Sequence, residues 1–384
     1  MQKKTIIILG GGTAGQVAAH NFGKALGGLH RVLLIEKEAR HVFGPSLLWR
    51  MVGLRTEEAI TRPTATLSAK GVEIVQAEIQ GIDPEGKRIT TNAGEFVFDF
   101  LLVGLGAELA PDLLPGFSEG CLNLYNLDGA NRIYDALKSF SGGRVAVLVS
   151  SSPFKCPAAP YEACFLIQSF LQKRGVKAEL DVYTPETLPM PTAGAAVGQA
   201  LKSMLEGRGI GFHPGQKARE IDPKEKRIKF DGGTEASYDL LVGVPPHRAP
   251  AAVAKSSLAG PTGWIPVDRS TLASRFAGIY AVGDVAGIPL GESKMLPKAG
   301  VFAHRQAEVA ASNIIDEIEG RSPSHRFDGH GWCAIEIGEG KAGFGSGNFY
   351  AEGGPVIHLS APSRIWHWAK VAFEKWWLWK WFTA

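Results

Sequence analysis

Short apolar runs, each followed by a segment of helical periodicity, recur along this 384-residue chain. The apolar run over 6–9 precedes a helical segment over 16–26, and a second apolar run occupies 31–35. Strand, helix and strand in this order predict a βαβ unit with parallel strands. The order recurs in the second half, where a strand over 144–149 precedes a helix predicted over 161–174. The pattern therefore predicts an α/β fold with two related units.

The turn after the first apolar run carries glycines at the spacing of a dinucleotide-binding fingerprint. Gly10 permits the tight turn, Gly12 lets the backbone approach a pyrophosphate, and Gly15 lets the helix pack close to the strand. Unpaired N–H groups at the start of the helix would then hold the phosphates. Glu36 follows the second strand, about twenty residues later, where an acid hydrogen-bonds an adenosine ribose. The first unit is therefore predicted to bind a dinucleotide.

The corresponding loop of the second unit is built differently. Residues 150–160 read SSSPFKCPAAP, without a glycine and with Cys156 near the middle. A pyrophosphate needs glycines in such a loop because only they let it approach the backbone. We interpret the chain as a flavoprotein with two Rossmann-like dinucleotide-binding domains. The first holds FAD, and the second has lost its nicotinamide site and carries a thiol in its place.

Further segments are interpreted as parts of these two units. Residues 99–107, which contain Gly104-Leu105-Gly106, would close the first unit, and 239–246 repeats the arrangement in the second. Gly283-Asp284 follows another apolar strand and would offer a carboxylate to a ribityl hydroxyl of FAD. The segment 297–300 (Pro-Lys-Ala-Gly) leads into a helix predicted over 301–315. The N-terminus of that helix would stabilise the negative charge of a reduced flavin.

The length and the apolar content of the chain agree with two domains. A chain of 384 residues with 45% apolar residues can bury two sizeable cores. The predicted FAD-binding domain comprises 1–110 and 260–320, and the degenerate second domain comprises 111–259. The remaining 321–384 is predicted to hold a redox cysteine and an amphipathic membrane-binding helix.

Charge and cysteine content exclude several other classes of protein. The net charge is only +3, so no basic footprint for nucleic acid is present. The four cysteines form no C-x-x-C pair, which argues against a zinc site and a disulfide framework. We expect no metal. The apolar run before Gly10 is too short for a signal peptide, and no run of eighteen uncharged apolar residues could cross a bilayer.

Four segments together resemble the sulfide:quinone oxidoreductase family, and the resemblance extends from Gly10 to the C-terminal tryptophans. They are 43–49 (FGPSLLW), 155–162 (KCPAAPYE), 297–300 (PKAG) and 373–380 (FEKWWLWK). This family belongs to the flavoprotein group that also contains flavocytochrome c sulfide dehydrogenase and the type II NADH dehydrogenases. The resemblance implies that sulfide is oxidised to zero-valent sulfur or polysulfide. The electrons would pass through FAD to ubiquinone or menaquinone.

The resemblance also implies roles for particular residues. Cys156 would face Cys333 beside the flavin, and Glu162 would accept a proton near the sulfur or the quinone site. Because the thiolate is the reactive form, we expect Lys155 and the following helix start to lower the pKa of Cys156. The predicted contacts to FAD are Gly10, Gly12, Thr13, Ala14, Gly15, Glu36, Lys37, Pro45, Gly106, Gly283, Asp284, Lys298, Ala299 and Gly300.

Other residues are expected to have secondary or structural roles. Lys298, Phe302 and Phe344 are predicted to contact the quinone. Cys164 is expected to be a core residue. The surroundings of Cys121 do not match the third cysteine of some relatives, so no role is carried over to it. The histidines that some relatives place after the second strand of this domain are missing from 185–192.

Six of the nine tryptophans lie between Trp366 and Trp381, interleaved with cations. On a helical wheel, Lys370 and Glu374 lie opposite an apolar face. That apolar face comprises Ile365, Ala369, Ala372, Phe373, Trp376 and Trp379. Such a helix suits the plane of a membrane interface. The chain is therefore predicted to be a peripheral, monotopic protein of a prokaryotic cell membrane; packing of the helix on the protein's own core, or in a homo-oligomer, is the alternative.

Three other functions stay open. A type II NADH dehydrogenase would need a second glycine-rich loop. A flavocytochrome c sulfide dehydrogenase subunit would share the Cys156 loop but would donate electrons to a haem partner. A non-catalytic membrane flavoprotein would sense redox state or hold a partner, and the missing histidines keep this possibility open.

Overall fold

The computed structural model describes residues 2–291 and 294–382, and its first half is built on a five-stranded parallel sheet. We name it the first sheet; in spatial order its strands are Ile279–Ala281, Phe100–Val103, Thr5–Leu9, Arg31–Glu36 and Val72–Gln76. The strand from residues 279–281 returns to this sheet after the chain has formed the second unit. Helices Thr13–Leu26 and Gly300–Ile318 pack against each other in its apolar core.

The second unit repeats the parallel arrangement. We name its sheet the second sheet; in spatial order its strands are Leu122–Asn123, Leu240–Val244, Gly143–Val149, Ala178–Tyr183 and Gly211–His213. Its longer helices are Leu127–Ser139, Ala159–Lys173 and Ala195–Glu206. The predicted α/β fold with two Rossmann-like units is therefore confirmed. Helix limits differ by one to three residues from those predicted, since the helices start at Thr13, Ala159 and Gly300.

Small sheets and two-stranded pairs flank the two units, and all are antiparallel except the parallel pair of Ile265–Pro266 with Ala286–Gly287. Two three-stranded sheets comprise Ile79–Asp83, Arg88–Thr91 and Gly94–Val97, and Ala218–Asp222, Arg227–Phe230 and Glu235–Ser237. Two-stranded pairs join Arg40–Val42 to Thr61–Pro63, Glu108–Leu109 to His247–Arg248, and Ile265–Pro266 to Ala286–Gly287. The short helices are Leu47–Arg50, Glu57–Ile60, Phe117–Gly120 and Ala251–Ala254.

The C-terminal region adds an antiparallel sheet and a long helix. Strands His330–Glu336, Ala342–Asn348 and Val356–Ser363 form this sheet in chain order, which the sequence pattern did not predict. The chain then continues into the C-terminal helix, Arg364–Phe382. Within 2–291 and 294–382, no helix is both long and apolar enough to cross a membrane.

Candidate active site

A cavity of about 960 Å³ lies where the two sheets meet the C-terminal region. Its wall includes the segments that follow the carboxyl ends of the strands in the first sheet, such as Gly10, Glu36 and Gly104. Ligands of open α/β sheets bind at these strand ends. The volume lies at the upper end of the roughly 300–1,000 Å³ that is usual for ligand sites, so the cavity can hold a large molecule.

Almost all the predicted cofactor contacts lie in the wall of this cavity. They are Gly10, Gly12, Thr13, Ala14, Glu36, Lys37, Pro45, Gly106, Gly283, Asp284, Lys298, Ala299 and Gly300. Gly15 is the exception, since it does not line the cavity. A Cβ atom there would meet the Gly10 carbonyl oxygen at 1.8 Å, so this glycine lies tightly between helix and strand. Gly15 therefore serves the packing of helix against strand, whereas the other residues surround the cavity.

The glycine-rich turn has the shape that a dinucleotide requires. Gly10 has a φ of +93°, and a Cβ atom there would meet the Gly104 carbonyl oxygen at 2.7 Å. A Cβ atom on Gly12 would meet nothing within 4 Å, so this backbone is open to a ligand. The helices that begin at Thr13 and Gly300 have no side-chain cap, which leaves their first N–H groups free for an anion. These residues fit the pyrophosphate of a dinucleotide cofactor.

Charged residues line the same part of the cavity. Glu36 accepts a 2.5 Å hydrogen bond from the Gly11 N–H, which holds its carboxylate at the end of the second strand. Burial raises the pKa of Asp284 and lowers that of Lys298 to about 8. The Lys298 ammonium donates to the backbone oxygen of Asp284 and lies 3.4 Å from the centroid of the Trp264 ring.

The glycine-free loop holds Cys156 in an unusual backbone conformation. Cys156 has a φ of +50°, a left-handed conformation that few non-glycine residues adopt and that is concentrated at functional sites. Its N–H donates to the Lys298 carbonyl oxygen at 2.6 Å. The Tyr125 hydroxyl donates to the carbonyl oxygens of Lys155 and Cys156. These bonds hold the thiol in the cavity wall, where Cys333 also lies.

The expected lowering of the Cys156 pKa is wrong for its net direction, although the helix start acts as predicted through the Ala159 N–H. Burial, followed by the negative charge of Glu162, raises the pKa of Cys156 to about 12. The cation that opposes this increase is Lys370 rather than Lys155. Burial, Glu162 and Cys156 likewise raise the pKa of Cys333, and both cysteines are free thiols. A neighbour in sequence thus proved less important than a lysine more than two hundred residues away.

Glu162 lies in the cavity wall but is also part of a buried ionic network. Its carboxylate accepts 2.5 Å and 2.8 Å hydrogen bonds from the Lys370 ammonium and the Glu336 backbone N–H. Burial alone would lower the pKa of Lys370, but Glu162 and Glu336 more than offset it, and the pKa is raised. Lys370 therefore remains a cation next to the two cysteines.

The C-terminal helix points two of its charged residues inward and several apolar residues outward. Lys370 bonds Glu162, and the fully buried Glu374 accepts hydrogen bonds from Ser46 and Arg55. The opposite side, which we name the outer face, is exposed and comprises Ile365, Trp368, Ala369, Ala372, Trp376 and Trp379. The other end of the helix packs into the core through Trp377, Leu378, Trp381 and Phe382. The predicted apolar face is thus largely the exposed one, with Phe373 half-buried at its edge.

The cavity reaches this outer face. Trp332, Leu359, Phe373 and Trp376 line the cavity, and all except Phe373 are exposed. The rings of Trp332 and Phe373 meet edge to face, with centroids 5.1 Å apart. Of the predicted quinone contacts, Lys298 and Phe302 line the cavity. Phe344 does not; it stacks on Trp366 and lies behind Trp332.

Comparison with known proteins agrees with this geometry. Residues 4–307 match the family model described as "Pyridine nucleotide-disulphide oxidoreductase". The chain belongs to this family. It is 24% identical over 353 residues to a mitochondrial sulfide:quinone oxidoreductase of Mus musculus, covering 87% of this chain and 75% of the relative. It is 25% identical to a sulfide-quinone reductase of Aquifex aeolicus, covering 98% and 91%.

A solved structure extends the similarity to the whole pyridine nucleotide-disulphide oxidoreductase fold. The sulfide:quinone oxidoreductase of Aquifex aeolicus superposes with a TM-score of 0.87 at 23% identity, over 98% of this chain and 91% of the other. The predicted resemblance to the sulfide:quinone oxidoreductase family is therefore confirmed. A type II NADH:quinone oxidoreductase of Staphylococcus saprophyticus is also similar, at 25% identity over 85% of each chain.

The second unit of this pyridine nucleotide-disulphide oxidoreductase differs from a nicotinamide site in two ways. Its loop lacks glycine, and the acid after the strand Ala178–Tyr183, Glu186, is buried. Glu186 accepts a hydrogen bond from the Tyr161 hydroxyl, and burial raises its pKa to about 7. The carboxylate that could have bound a ribose is thereby occupied within the protein.

At least four residues of the site were missed from the sequence, and one of them is Lys370, which was predicted only for the polar side of the C-terminal helix. Tyr125 supports the Cys156 loop, and Glu336 and His367 join the network around Glu162. Glu336 lies three residues after Cys333 in an apolar strand. An acid at the end of an apolar run was the signal in the sequence that could have identified Glu336 as a site residue. Nothing in the sequence around Tyr125 points to its contact thirty residues later.

Both remaining cysteines are packed in apolar cores. Cys164 is buried in the helix Ala159–Lys173, as predicted, and Cys121 is buried in the core on the other side of the second sheet. Burial raises the pKa of each thiol. Neither lines the cavity.

Proposed function

We propose that this pyridine nucleotide-disulphide oxidoreductase oxidises sulfide and reduces a membrane quinone. The observation that carries the proposal is the placement of Cys156 and Cys333 in one cavity with a dinucleotide cradle. The names of the relatives in mouse and Aquifex aeolicus support the same reaction. FAD, when bound in the cradle, would accept two electrons from the sulfur site and supply them to the quinone.

The two cysteines would carry the sulfur chemistry. Hydrosulfide attacking a bond between Cys156 and Cys333 would form a persulfide on one cysteine and release the other as a thiolate. Lys370 would stabilise that thiolate, since its positive charge lowers the pKa of both cysteines against the effect of burial. Glu162 would hold or release a proton at its carboxylate beside them. The sulfur would leave as zero-valent sulfur or polysulfide.

The quinone would bind between the sulfur site and the outer face. Trp332 and Phe373 supply aromatic walls for a flat ring, and Lys370 lies one helical turn before Phe373. The cavity reaches exposed Trp376 and Leu359, where a lipid tail could leave it. The water-insoluble substrate would then pass directly from the membrane to the cavity.

The outer face would lie in the membrane interface. Its residues are tryptophan, isoleucine and alanine, and exposed Arg364 and Lys375 lie on the same helix. Tryptophan with lysine and arginine is the composition that favours the headgroup region. Because Lys370 and Glu374 point inward, the outward surface is mainly apolar, with Arg364 and Lys375 as its exposed charges. A peripheral attachment without a membrane span follows.

Relatives named type II NADH:quinone oxidoreductase favour a second candidate, in which NADH replaces sulfide as the donor. The loop over 150–160 and the bond between Tyr161 and Glu186 count against it. A haem-containing partner in place of quinone is less compatible with the outer face, and a non-catalytic role leaves the two cavity thiols without a purpose.

An anaerobic absorbance titration of the flavin tests these candidates. The purified holoenzyme is titrated with sulfide and with NADH in separate cuvettes, and a soluble quinone is then added. We expect bleaching by sulfide alone and reversal by quinone. Bleaching by NADH would support the second candidate, and bleaching by neither would support the non-catalytic role.

A further inference from the structure

A network of four ionisable side chains leads from the cavity toward the surface. Lys370 donates to Glu162 at the cavity wall, and the Glu336 backbone N–H donates to the same carboxylate. Both carboxylate oxygens of Glu336 lie 3.0 Å from the His367 Nδ1 atom. Lys370 interacts electrostatically with both carboxylates. Among the described residues, no hydrogen bond joins the Glu336 carboxylate to Lys370 or Glu162. The pairs Lys370–Glu162 and Glu336–His367 are therefore linked through the Glu336 backbone N–H.

The two ends of the network differ in their surroundings. Glu162 and Lys370 line the cavity, whereas Glu336 and His367 do not. The Glu336 side chain is almost completely buried, and His367 retains 17% exposure of its side chain. His367 thus connects a buried carboxylate with the surface. The network joins three elements: the helix Ala159–Lys173, the strand His330–Glu336 and the C-terminal helix.

Few other charges face His367. Its ring meets Trp49 edge to face, with centroids 6.1 Å apart, and Arg55 lies over the ring of Trp49. Arg55 is neutralised by Glu374, to which it is hydrogen-bonded at 2.9 Å. The charged groups that bear on His367 are therefore Glu336 and Lys370, with the Arg55–Glu374 pair beyond the indole.

The proposed reaction needs a proton from solvent in every cycle. Hydrosulfide gives up two electrons and one proton when it becomes zero-valent sulfur. The quinone takes up two electrons and two protons when it becomes quinol. One proton can stay in the cavity from the sulfur step, so one more must enter for each quinol formed. The aromatic mouth of the cavity would be filled by the quinone and covered by lipid.

We propose that His367 and Glu336 form a proton path from the surface to Lys370 and Glu162, and that this path supplies the quinone-reduction step. The inference rests on the proposed function. His367 takes a proton from water and passes it to the Glu336 carboxylate 3.0 Å away. Because no side-chain hydrogen bond among the described residues joins the two pairs, a bridging water would carry the proton from Glu336 to the Lys370–Glu162 pair at the cavity wall. No bond other than those to hydrogen changes along the path.

The charges in the network suit this role. Two carboxylates share one lysine, so the cluster has an excess of negative charge whenever His367 is neutral. Burial raises the pKa of Glu336, although Lys370 and His367 act against that increase. A buried carboxyl group that binds a proton easily next to a histidine is an effective relay.

The test measures the two half-reactions of the holoenzyme separately by stopped-flow absorbance. His367→Ala should slow reoxidation of the reduced flavin by a soluble quinone about 100-fold or more, which is the lower end of the range for losing a proton-transfer group. Reduction by sulfide should change less than about twofold, since that step takes no proton from solvent. Added imidazole should restore most of the lost rate.

Matched variants distinguish proton transfer from structural support. His358→Ala removes an exposed histidine from the neighbouring strand Val356–Ser363 and should leave both rates unchanged. Glu336→Gln keeps the size of the side chain and should slow the same half-reaction, without rescue by imidazole. Thermal unfolding and flavin content, measured for each variant, show whether the fold is retained.

Each outcome has a distinct meaning. If sulfide does not reduce the wild-type flavin, the proposed function fails and the proton path fails with it. If the wild type turns over but the quinone step of His367→Ala keeps its rate, the path alone is overturned. If His367→Ala is folded and loaded with flavin but its lost rate is not restored by imidazole, the path is also overturned.

Discussion

Replacing Trp368 and Trp379 by alanine should detach the protein from membranes without changing its chemistry. The two indoles expose 65% and 64% of their surface and lie on the outer face of the C-terminal helix. Neither lines the cavity. The double variant therefore separates membrane binding from catalysis.

The magnitude follows from the exposed area. A tryptophan side chain has roughly 200 Å² of surface, so each of these two exposes roughly 130 Å². If the interface covers about half of that area, the loss at ~25 cal/mol/Å² is about 1.5 kcal/mol for each residue and about 3 kcal/mol for the pair. Because 1.4 kcal/mol corresponds to a factor of ten, partitioning into vesicles should weaken roughly 100-fold.

Flotation of the holoenzyme with vesicles of phosphatidylcholine and phosphatidylglycerol measures this partitioning. The matched control is the double variant Leu29→Ala with Leu113→Ala, which removes two apolar side chains that are 69% and 57% exposed elsewhere. It should bind like the wild type. Reduction of a water-soluble quinone should be unchanged in both variants. Equal binding of the wild type and the tryptophan variant would refute the role of the outer face.

Three further predictions concern the cradle, the thiols and the buried ion pair. Gly12→Ala should lower the FAD content of a stably folded protein, because its Cβ would occupy the open space where the cofactor approaches the backbone. Gly15→Ala should instead lower the melting temperature, because its Cβ would overlap the Gly10 carbonyl oxygen. Flavin absorbance measures the first effect and thermal unfolding the second. Cys156→Ser and Cys333→Ser should each retain FAD but lose bleaching by sulfide, and a variant that bleaches at the wild-type rate would contradict the cysteine mechanism. Glu374→Gln removes the charge that pairs with Arg55 and should cost about 3 kcal/mol in urea unfolding; Glu73→Gln, in the exposed pair with Arg31, should cost less than about 1 kcal/mol.

Local sequence pattern was sufficient for the two parallel units. The apolar run before Gly10 and the glycine spacing after it determine a strand, a turn and a helix over consecutive residues, and the structure has all three. The glycine-free loop around Cys156 was recognisable for the same reason. Signals of this kind depend on neighbours within about twenty residues.

Features that depend on distant partners could not be predicted in this way. The periodicity of the C-terminal helix identified an apolar face but not the direction in which it points. That direction depends on two ion pairs, Lys370 with Glu162 and Glu374 with Arg55. The pKa of Cys156 depends on burial and on Lys370 rather than on its neighbour Lys155. The antiparallel sheet before the C-terminal helix was missed because its glycine-rich middle strand, Ala342–Asn348, lacks a clear alternating pattern.

The division of the tryptophans between two environments gives the protein two built-in optical signals. Trp49 and Trp377 are buried in the cavity wall, so energy transfer to a bound flavin would quench their fluorescence. Trp368 and Trp379 face outward, so their emission would shift to shorter wavelengths when lipid replaces water around them. Cofactor loading and membrane attachment could thus be followed in one unlabelled sample. The intensity of tryptophan fluorescence would report cofactor loading, and the wavelength of its emission maximum would report membrane attachment.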